Sequence, residues 1–483
     1  MKTAPLAIYH CKGYNYAVNC HKNFERVNAM SETVAAIATP QNTGSIGIIR
    51  ISGDDAIEIA DRIFEPSGKK RLCELKGYRA AHGYAVFGGE KIDECVALVF
   101  RAPKSYTGEN VVELSCHGGL FVLKRVLRAI FSAGAKPAAA GEFTKRAFLN
   151  GKLDLAEAEA VMGIINAQNE QGAKAALGIL EGALSKKTDA LCQRLVASSA
   201  QLAAWVDYPD DEIEELETSA LLETLSFVQS GLENLLSKFD AGAAITRGVE
   251  TAIIGKPNVG KSALMNLLSG RNRSIVTDIE GTTRDVVEET VNLGALVLRL
   301  ADTAGIRQTA DEVEKIGVDK ARFQLERAGL VFAVFDLSRP LSKEDEEIID
   351  LCKGKRVIAV LNKSDLSREL DLKKINDNFS ETVELCALSG NGLSVLEEKA
   401  ERLLCTKELD ASEGILSTER QRKNAEEALA SVKEAYAALQ SGVTLDAVNV
   451  CIDDAIGALL ELTGEKASDA VVDEVFSSFC VGK

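Results

Sequence analysis

Short apolar runs separated by Gly and Pro dominate the first third of the chain. Ile46–Ile51, Cys95–Phe100 and Val111–Leu114 have the length and composition of strands, and Leu120–Phe131 carries a helical spacing. Residues 30–150 are therefore expected to form an α+β domain. The period then changes. Leu155, Ala158, Met162 and Ile165 recur at helical intervals, as do Leu221, Leu225, Val228, Leu232 and Phe239, so 151–247 predicts packed helices. Pro209 and the acidic run Asp210–Glu217 mark a turn and a helix start, and the carboxylates read as a solvated face near a helix N-terminus. From 248 to 405 the pattern alternates again. Val249–Ile254 is a short apolar run followed by a helix expected from Ala263, and Leu296–Leu300, Val331–Phe335 and Val357–Leu361 are continuous apolar runs, as in a parallel sheet covered on both faces. That predicts a doubly wound α/β domain. Ala425, Leu429, Val432, Tyr436 and Leu439 then return to helical spacing. Residues 406–483 are expected to complete the helical domain, with the α/β domain inserted within it.

Composition narrows the class. A chain of 483 residues exceeds one hydrophobic core, so several domains are expected. Apolar residues make up 46% and charged residues 27%, and no apolar stretch has the length of a membrane span. The net charge of −16 argues against broad non-specific nucleic-acid binding, although it leaves room for a local basic groove. Eleven cysteines without C-x-x-C spacing favour reduced thiols and a cytoplasmic location. His10-Cys11 and Cys20-His21 fit no common zinc spacing. Met30 directly precedes the first strand-like pattern, and residues 1–29 are expected to be disordered or non-native.

The chemistry begins at Gly255–Ser262, GKPNVGKS, between a predicted strand and a predicted helix. In that context the G-x-x-x-x-G-K-[ST] pattern is a phosphate cradle: loop N–H groups and the helix N-terminus face the anion. Lys261 is the expected β/γ-phosphate contact and Ser262 the expected Mg²⁺ ligand, with Asn258, Val259, Gly260 and Ala263 lining the nucleotide. Asp302-Thr303-Ala304-Gly305 follows the run Leu296–Leu300; Asp302 suits the Mg²⁺ shell and the Gly305 amide the γ-phosphate. Asn362-Lys363-Ser364-Asp365 follows Val357–Leu361. The Asp365 carboxylate can accept from guanine N1–H and the 2-amino group, a donor pair adenine lacks. Cys386-Ala387-Leu388 is expected to meet the base through backbone groups. Each tetrapeptide alone reads as a polar turn; in this order, at successive strand ends, they specify GTP. Glu280–Asp285 supplies a switch loop in which Thr283 ligates Mg²⁺ when a γ-phosphate is present. The position after D-x-x-G, where many GTPases carry a water-orienting Gln, is Ile306, whose side chain has no hydrogen-bonding group. Transition-state charge must then be met by another residue or a bound cation.

These motifs, together with TDIEGTTRD (Thr277–Asp285), GEFTKRAFLNGKLDLAEAEA (Gly141–Ala160) and the terminal Cys480-Val481-Gly482-Lys483, resemble the MnmE/TrmE family of tRNA-modifying GTPases across residues 30–483. The resemblance implies an α+β N-terminal domain, an all-α helical domain and an inserted Ras-like P-loop GTPase domain. It implies that Asn258 coordinates K⁺, with Thr277, Ile279 and Thr282 completing the shell as G domains dimerise, and that Glu314 orients the attacking water. From spacing alone Glu314 reads as a helix-start carboxylate. It further implies a homodimer through the N-terminal domain, binding a 5-formyl-tetrahydrofolate-type donor with Arg50, Glu113, Lys152 and Lys483. Without the resemblance Arg50 and Lys152 read as surface charges. Cys480 is a candidate reactive thiol and equally a small packing residue. The implied partner is the FAD-dependent MnmG, in a heterotetramer modifying C5 of the wobble uridine of certain tRNAs. One departure is Cys386-Ala387, where Ser-Ala is usual. Two other functions compete: a GTPase switch in ribosome assembly, which would want a basic RNA-binding appendage absent after residue 405, and a folate enzyme with a regulatory G domain.

Overall fold

The computed structural model describes residues 32–207, 218–271, 289–300, 325–406, 410 and 413–483. The extension with His10, Cys11, Cys20, His21 and Met30, the segment Pro209 to Glu217, the positions Thr277, Ile279, Thr282 and Thr283, and Asp302, Gly305, Ile306 and Glu314 lie outside the described residues. The described residues fall into two compact units, one drawn from Met1–Met162, Cys192–Leu222 and Glu434–Lys483, the other from Gly163–Leu191 and Glu223–Lys433.

The first unit holds a seven-stranded sheet, β1 (Val34–Ile37), β2 (Ile46–Ser52), β3 (Phe64–Pro66), β4 (Arg79–Phe87), β5 (Glu90–Phe100), β6 (Val111–His117) and β7 (Lys136–Pro137), in the order β3-β4-β5-β6-β2-β1-β7. All pairings are antiparallel except β1–β7. The apolar run from Cys95 is only the second half of β5; its first half, Glu90–Glu94, sets Ile92 among four charged residues and carries no apolar run. Gly88 and Gly89, at φ +62° and +84°, close the β4–β5 hairpin with the positive dihedrals a two-residue turn demands. Helices Ala56–Arg62 and Leu120–Ser132 cover one face, burying Ile57, Leu123, Val126 and Ile130 against Ile49, Ile51, Val99 and Leu114. Each such fully buried side chain contributes about 1.5–3 kcal/mol. At Gly47 a Cβ would lie 2.4 Å from a Leu123 methyl, so glycine is what lets this helix settle on β2. A second cluster, Phe148, Leu155, Ala158, Val472, Phe476 and Phe479, joins helices Glu142–Leu149, Leu155–Ile165 and Asp469–Ser477.

The second unit contains a six-stranded sheet, β8 (Val249–Ile254), β9 (Glu289–Leu293), β10 (Leu296–Leu300), β11 (Leu330–Asp336), β12 (Val357–Asn362) and β13 (Glu381–Leu385), ordered β13-β12-β11-β8-β10-β9. Only the β9 edge is antiparallel. Helices Lys261–Arg271 and Leu393–Leu403 pack on one face, and Lys343–Leu351 and Leu372–Asn378 on the other, which is why β11 and β12 are buried along their whole length. The first of these helices begins at Lys261 rather than at Ala263, because the last residues of the glycine loop already take helical geometry. Phe239 likewise opens a separate helix, Phe239–Thr246, instead of extending Thr218–Ser237. Asn169 caps helix Glu170–Leu180 by accepting from the Gly172 N–H at 2.6 Å, and its amide donates to the Ala295 carbonyl at 2.8 Å in the β9–β10 turn.

Candidate functional site

The glycine loop runs from the end of β8 into helix Lys261–Arg271, whose first turn includes the Leu264 N–H donating to the Gly260 carbonyl at 2.9 Å. Asn258 sits at φ +65° and Gly260 at φ +100°. These left-handed turns fold the loop back over the helix N-terminus and point its N–H groups at one concavity. A Cβ on Gly260 would stand 2.1 Å from Asn362 Nδ2, so the close approach requires glycine. Lys261 Nζ donates to the Gly255 and Lys256 carbonyls at 2.7 and 2.8 Å, lying across the loop, and burial lowers its pKa. Lys256 anchors the loop by pairing with buried Asp345 at 2.6 Å and donating to Ser342 Oγ at 3.1 Å. Val259 is buried, Ala263 half-buried, and Ser262 exposed at the helix start.

The candidate base-binding side lies at the ends of β12 and β13. Buried Asn362 donates through Nδ2 to the Val259 carbonyl at 2.8 Å and accepts through Oδ1 from the Ala387 N–H at 3.0 Å. One side chain therefore joins the phosphate loop to the loop after β13. Lys363, at φ +65°, reaches Asp336 Oδ2 at 2.6 Å. Burial alone would push the Asp336 carboxyl up; hydrogen bonds from Lys363 and Ser338 outweigh it and hold the group below the usual carboxylate range. Asp365 is exposed. Cys386 and Ala387 are buried, with the Cys386 N–H donating to the Asn391 carbonyl at 3.0 Å, while Leu388 is 88% exposed. Asp336 was missed by sequence reasoning, although an acid directly after the run Val331–Phe335 was a signal of the same kind as the others. Of the expected site residues, Thr277, Ile279, Thr282, Thr283, Asp302, Gly305 and Glu314 lie outside the described residues.

A second constellation lies in the first unit. Arg50 on β2 and Glu113 on β6 face each other in register and pair at 2.9 Å. The Arg50 guanidinium stands 5.3 Å from the Tyr106 ring centroid and 5.4 Å from that of Phe143. The Phe143 N–H donates to the Lys483 carbonyl at 3.1 Å, and Ala140 bridges Val481, so the chain end is stitched to the segment holding Phe143. Gly482, at φ +102°, passes so close that a Cβ would lie 2.3 Å from the Ile37 carbonyl. Lys152 Nζ donates to the Pro103 carbonyl at 3.3 Å, near the start of the loop carrying Tyr106. Cys480 is exposed. Tyr106 and Phe143 were not singled out from the sequence, because an aromatic ring beneath a cation leaves no spacing signature. Nor was Arg146, which is 2% exposed and fixed by Glu109 at 3.1 Å and Glu142 at 2.7 Å.

The MnmE helical domain model matches residues 155–480, and that of the GTP-binding protein TrmE N-terminus matches 33–152. The chain belongs to the MnmE family. The tRNA modification GTPase MnmE of Acetivibrio thermocellus is 41% identical over 457 residues, covering 94% of this chain and 99% of that protein. That of Geobacillus kaustophilus is 40% identical over 458 residues, covering 94% and 99%, and that of Lactococcus lactis subsp. cremoris MG1363 is 41% identical over 454, covering 94% and 98%. As an MnmE-family member the chain is a GTPase that combines an α+β N-terminal domain, a helical domain and a P-loop GTPase domain. Among the described residues no helix is long and apolar enough to cross a membrane.

Proposed function

We propose that this MnmE-family GTPase couples GTP hydrolysis to modification of the wobble uridine of certain tRNAs. With an FAD-dependent MnmG partner, in a heterotetramer built on its own homodimer, it adds an aminomethyl or carboxymethylaminomethyl group at C5. The compartment is the cytoplasm. The observation that carries the nucleotide half is the double hydrogen bond of Asn362, which sets the phosphate loop and the base loop around one space. The donor set fits GTP: loop amides and Lys261 suit phosphate, and exposed Asp365 suits the guanine edge. Ser262 at the helix start suits Mg²⁺, which supplies charge neutralisation between the β- and γ-phosphates. Thr283 and Asp302 are the further Mg²⁺ candidates and Gly305 the γ-phosphate contact. A K⁺ site of Asn258, Thr277, Ile279 and Thr282, with Glu314 orienting water, would stand in for the Gln that many GTPases carry where this chain has Ile306.

The one-carbon half of the proposal is a 5-formyl-tetrahydrofolate-type donor held by Arg50, Glu113, Lys152 and Lys483. It is supported by the paired charges and two aromatic rings gathered at Arg50, a donor set suited to a heteroaromatic ring with carboxylates. The deciding experiment is mass spectrometry of wobble uridines in tRNA from cells lacking this protein. Loss of the C5-modified nucleoside, restored by the wild-type gene, is expected; an unchanged nucleoside profile refutes the proposal.

A further inference from the structure

Helix Leu120–Ser132 buries Leu123, Val126, Ala129 and Ile130 in the core of the first unit. Its opposite face carries Phe121, Lys124, Arg125 and Arg128, which fall within about 120° of arc at 100° per residue. The helix contains no acidic residue. Phe121 is 74% exposed. Lys124 and Arg128 are exposed and, among the described residues, make no hydrogen bond or ion pair, while Arg125 has only a long contact to Glu90 at 3.6 Å. Arg62, on the neighbouring helix, donates to the Ala133 carbonyl at 2.9 Å and extends the row past the helix end.

Several other helices of this acidic protein pair cations internally. Lys174 pairs with Glu170, Lys353 with Asp350, Arg422 with Glu419 and Glu426, and Lys423 with Glu427, each within its own helix or its immediate end. Such internal pairing is what an ordinary solvated face shows. A helix with three cations, no acid and a solvent-facing aromatic ring departs from it in a chain of net charge −16.

We propose that this face docks the phosphodiester backbone of a folded RNA, with an unpaired base stacking on Phe121. The cations would displace condensed counterions from the phosphates, and the ring would supply a sequence-tolerant stacking platform. A membrane surface fits less well, because the apolar side of the helix is already in the core and a single ring offers little area to bury in lipid. The proposal rests on the wobble-uridine function only in naming the RNA as tRNA.

The test is fluorescence anisotropy of labelled unmodified tRNA against the full chain, titrated at several salt concentrations, for wild type, K124A/R128A and F121A. The double variant is expected to bind about tenfold or more weakly at low salt, with the slope of log K against log salt reduced in magnitude by about two. F121A is expected to lose roughly fivefold or more in affinity with the slope kept. GTP turnover without RNA should be unchanged in all three. Equal affinity and slope in the double variant and the wild type overturn the proposal. So does loss of binding to phosphatidylserine vesicles with tRNA affinity intact, which would assign the face to a membrane. If cells lacking the protein keep modified wobble uridines, the functional proposal fails while the anisotropy titration still decides this surface.

Discussion

At the scale of single residues, the GTP site turns on a few polar side chains whose partners are fixed. Asp365 is proposed to read the guanine edge, so Asp365→Asn should lower GTP affinity about 10- to 100-fold while improving relative affinity for xanthosine triphosphate, whose C2 carbonyl accepts from an amide. Fluorescent-nucleotide titration checks this; unaltered GTP affinity would show that another group reads the base. Asn258 is proposed as a K⁺ ligand, and exchanging K⁺ for Na⁺ should slow turnover by about a hundredfold or more. Equal rates in the two salts would remove that role. Asp336 supplies a pH prediction. Its folded-state pKa lies below the unfolded value because hydrogen bonds from Lys363 and Ser338 outweigh burial, so its stabilisation is complete above about pH 4 and disappears as pH falls through the folded value. Asp336→Asn should therefore flatten the acid side of a melting-temperature profile, and an identical profile would show the pair contributes nothing. The motifs located Asn362 and Lys363 but not their contacts, since Asn362 meets Val259 across 103 positions.

At the scale of elements, β11 and β12 contain the apolar runs Val331–Phe335 and Val357–Leu361, since strands buried on both faces need apolar residues throughout. Strands with one wet face were harder to read. β4, with Ala80, His82 and Tyr84 alternating among small residues, left no clear run, and the charged half of β5 looked like loop. The glycine loop was legible as a motif, but the reason for its second glycine was not. Gly260 combines a positive φ with an approach to Asn362 that no side chain could share. Gly260→Ala should push Asn362 away from Val259 and weaken GTP binding roughly tenfold or more, measured by the same titration, while leaving overall helix content unchanged by circular dichroism. Retained affinity would mean the loop relaxes without using Asn362.

At the scale of the whole molecule, the chain end is part of the first unit rather than a free tail. The carbonyl of Lys483 accepts from Phe143, whose ring lies under Arg50, so the last residue and β2 meet at one aromatic position. Deleting Lys483 should weaken 5-formyl-tetrahydrofolate binding roughly tenfold or more by isothermal calorimetry. Unchanged affinity in the truncated chain would take the terminus out of that site. The sequence by itself determined the nucleotide, through four motifs at strand ends, and the fold class, through hydrophobic period; both are properties of neighbouring residues and survive without knowledge of distant contacts. Tertiary structure alone decided what binds those motifs together. Asn362 joined to Val259 and Ala387, Arg50 set beside Tyr106 and Phe143, and Lys124 and Arg128 of helix Leu120–Ser132, without a partner among the described residues, all depend on which surfaces the buried core turns toward each other and which it leaves in water. Hydrophobic burial sets that choice, and it acts between segments far apart in sequence, where spacing carries no record of it.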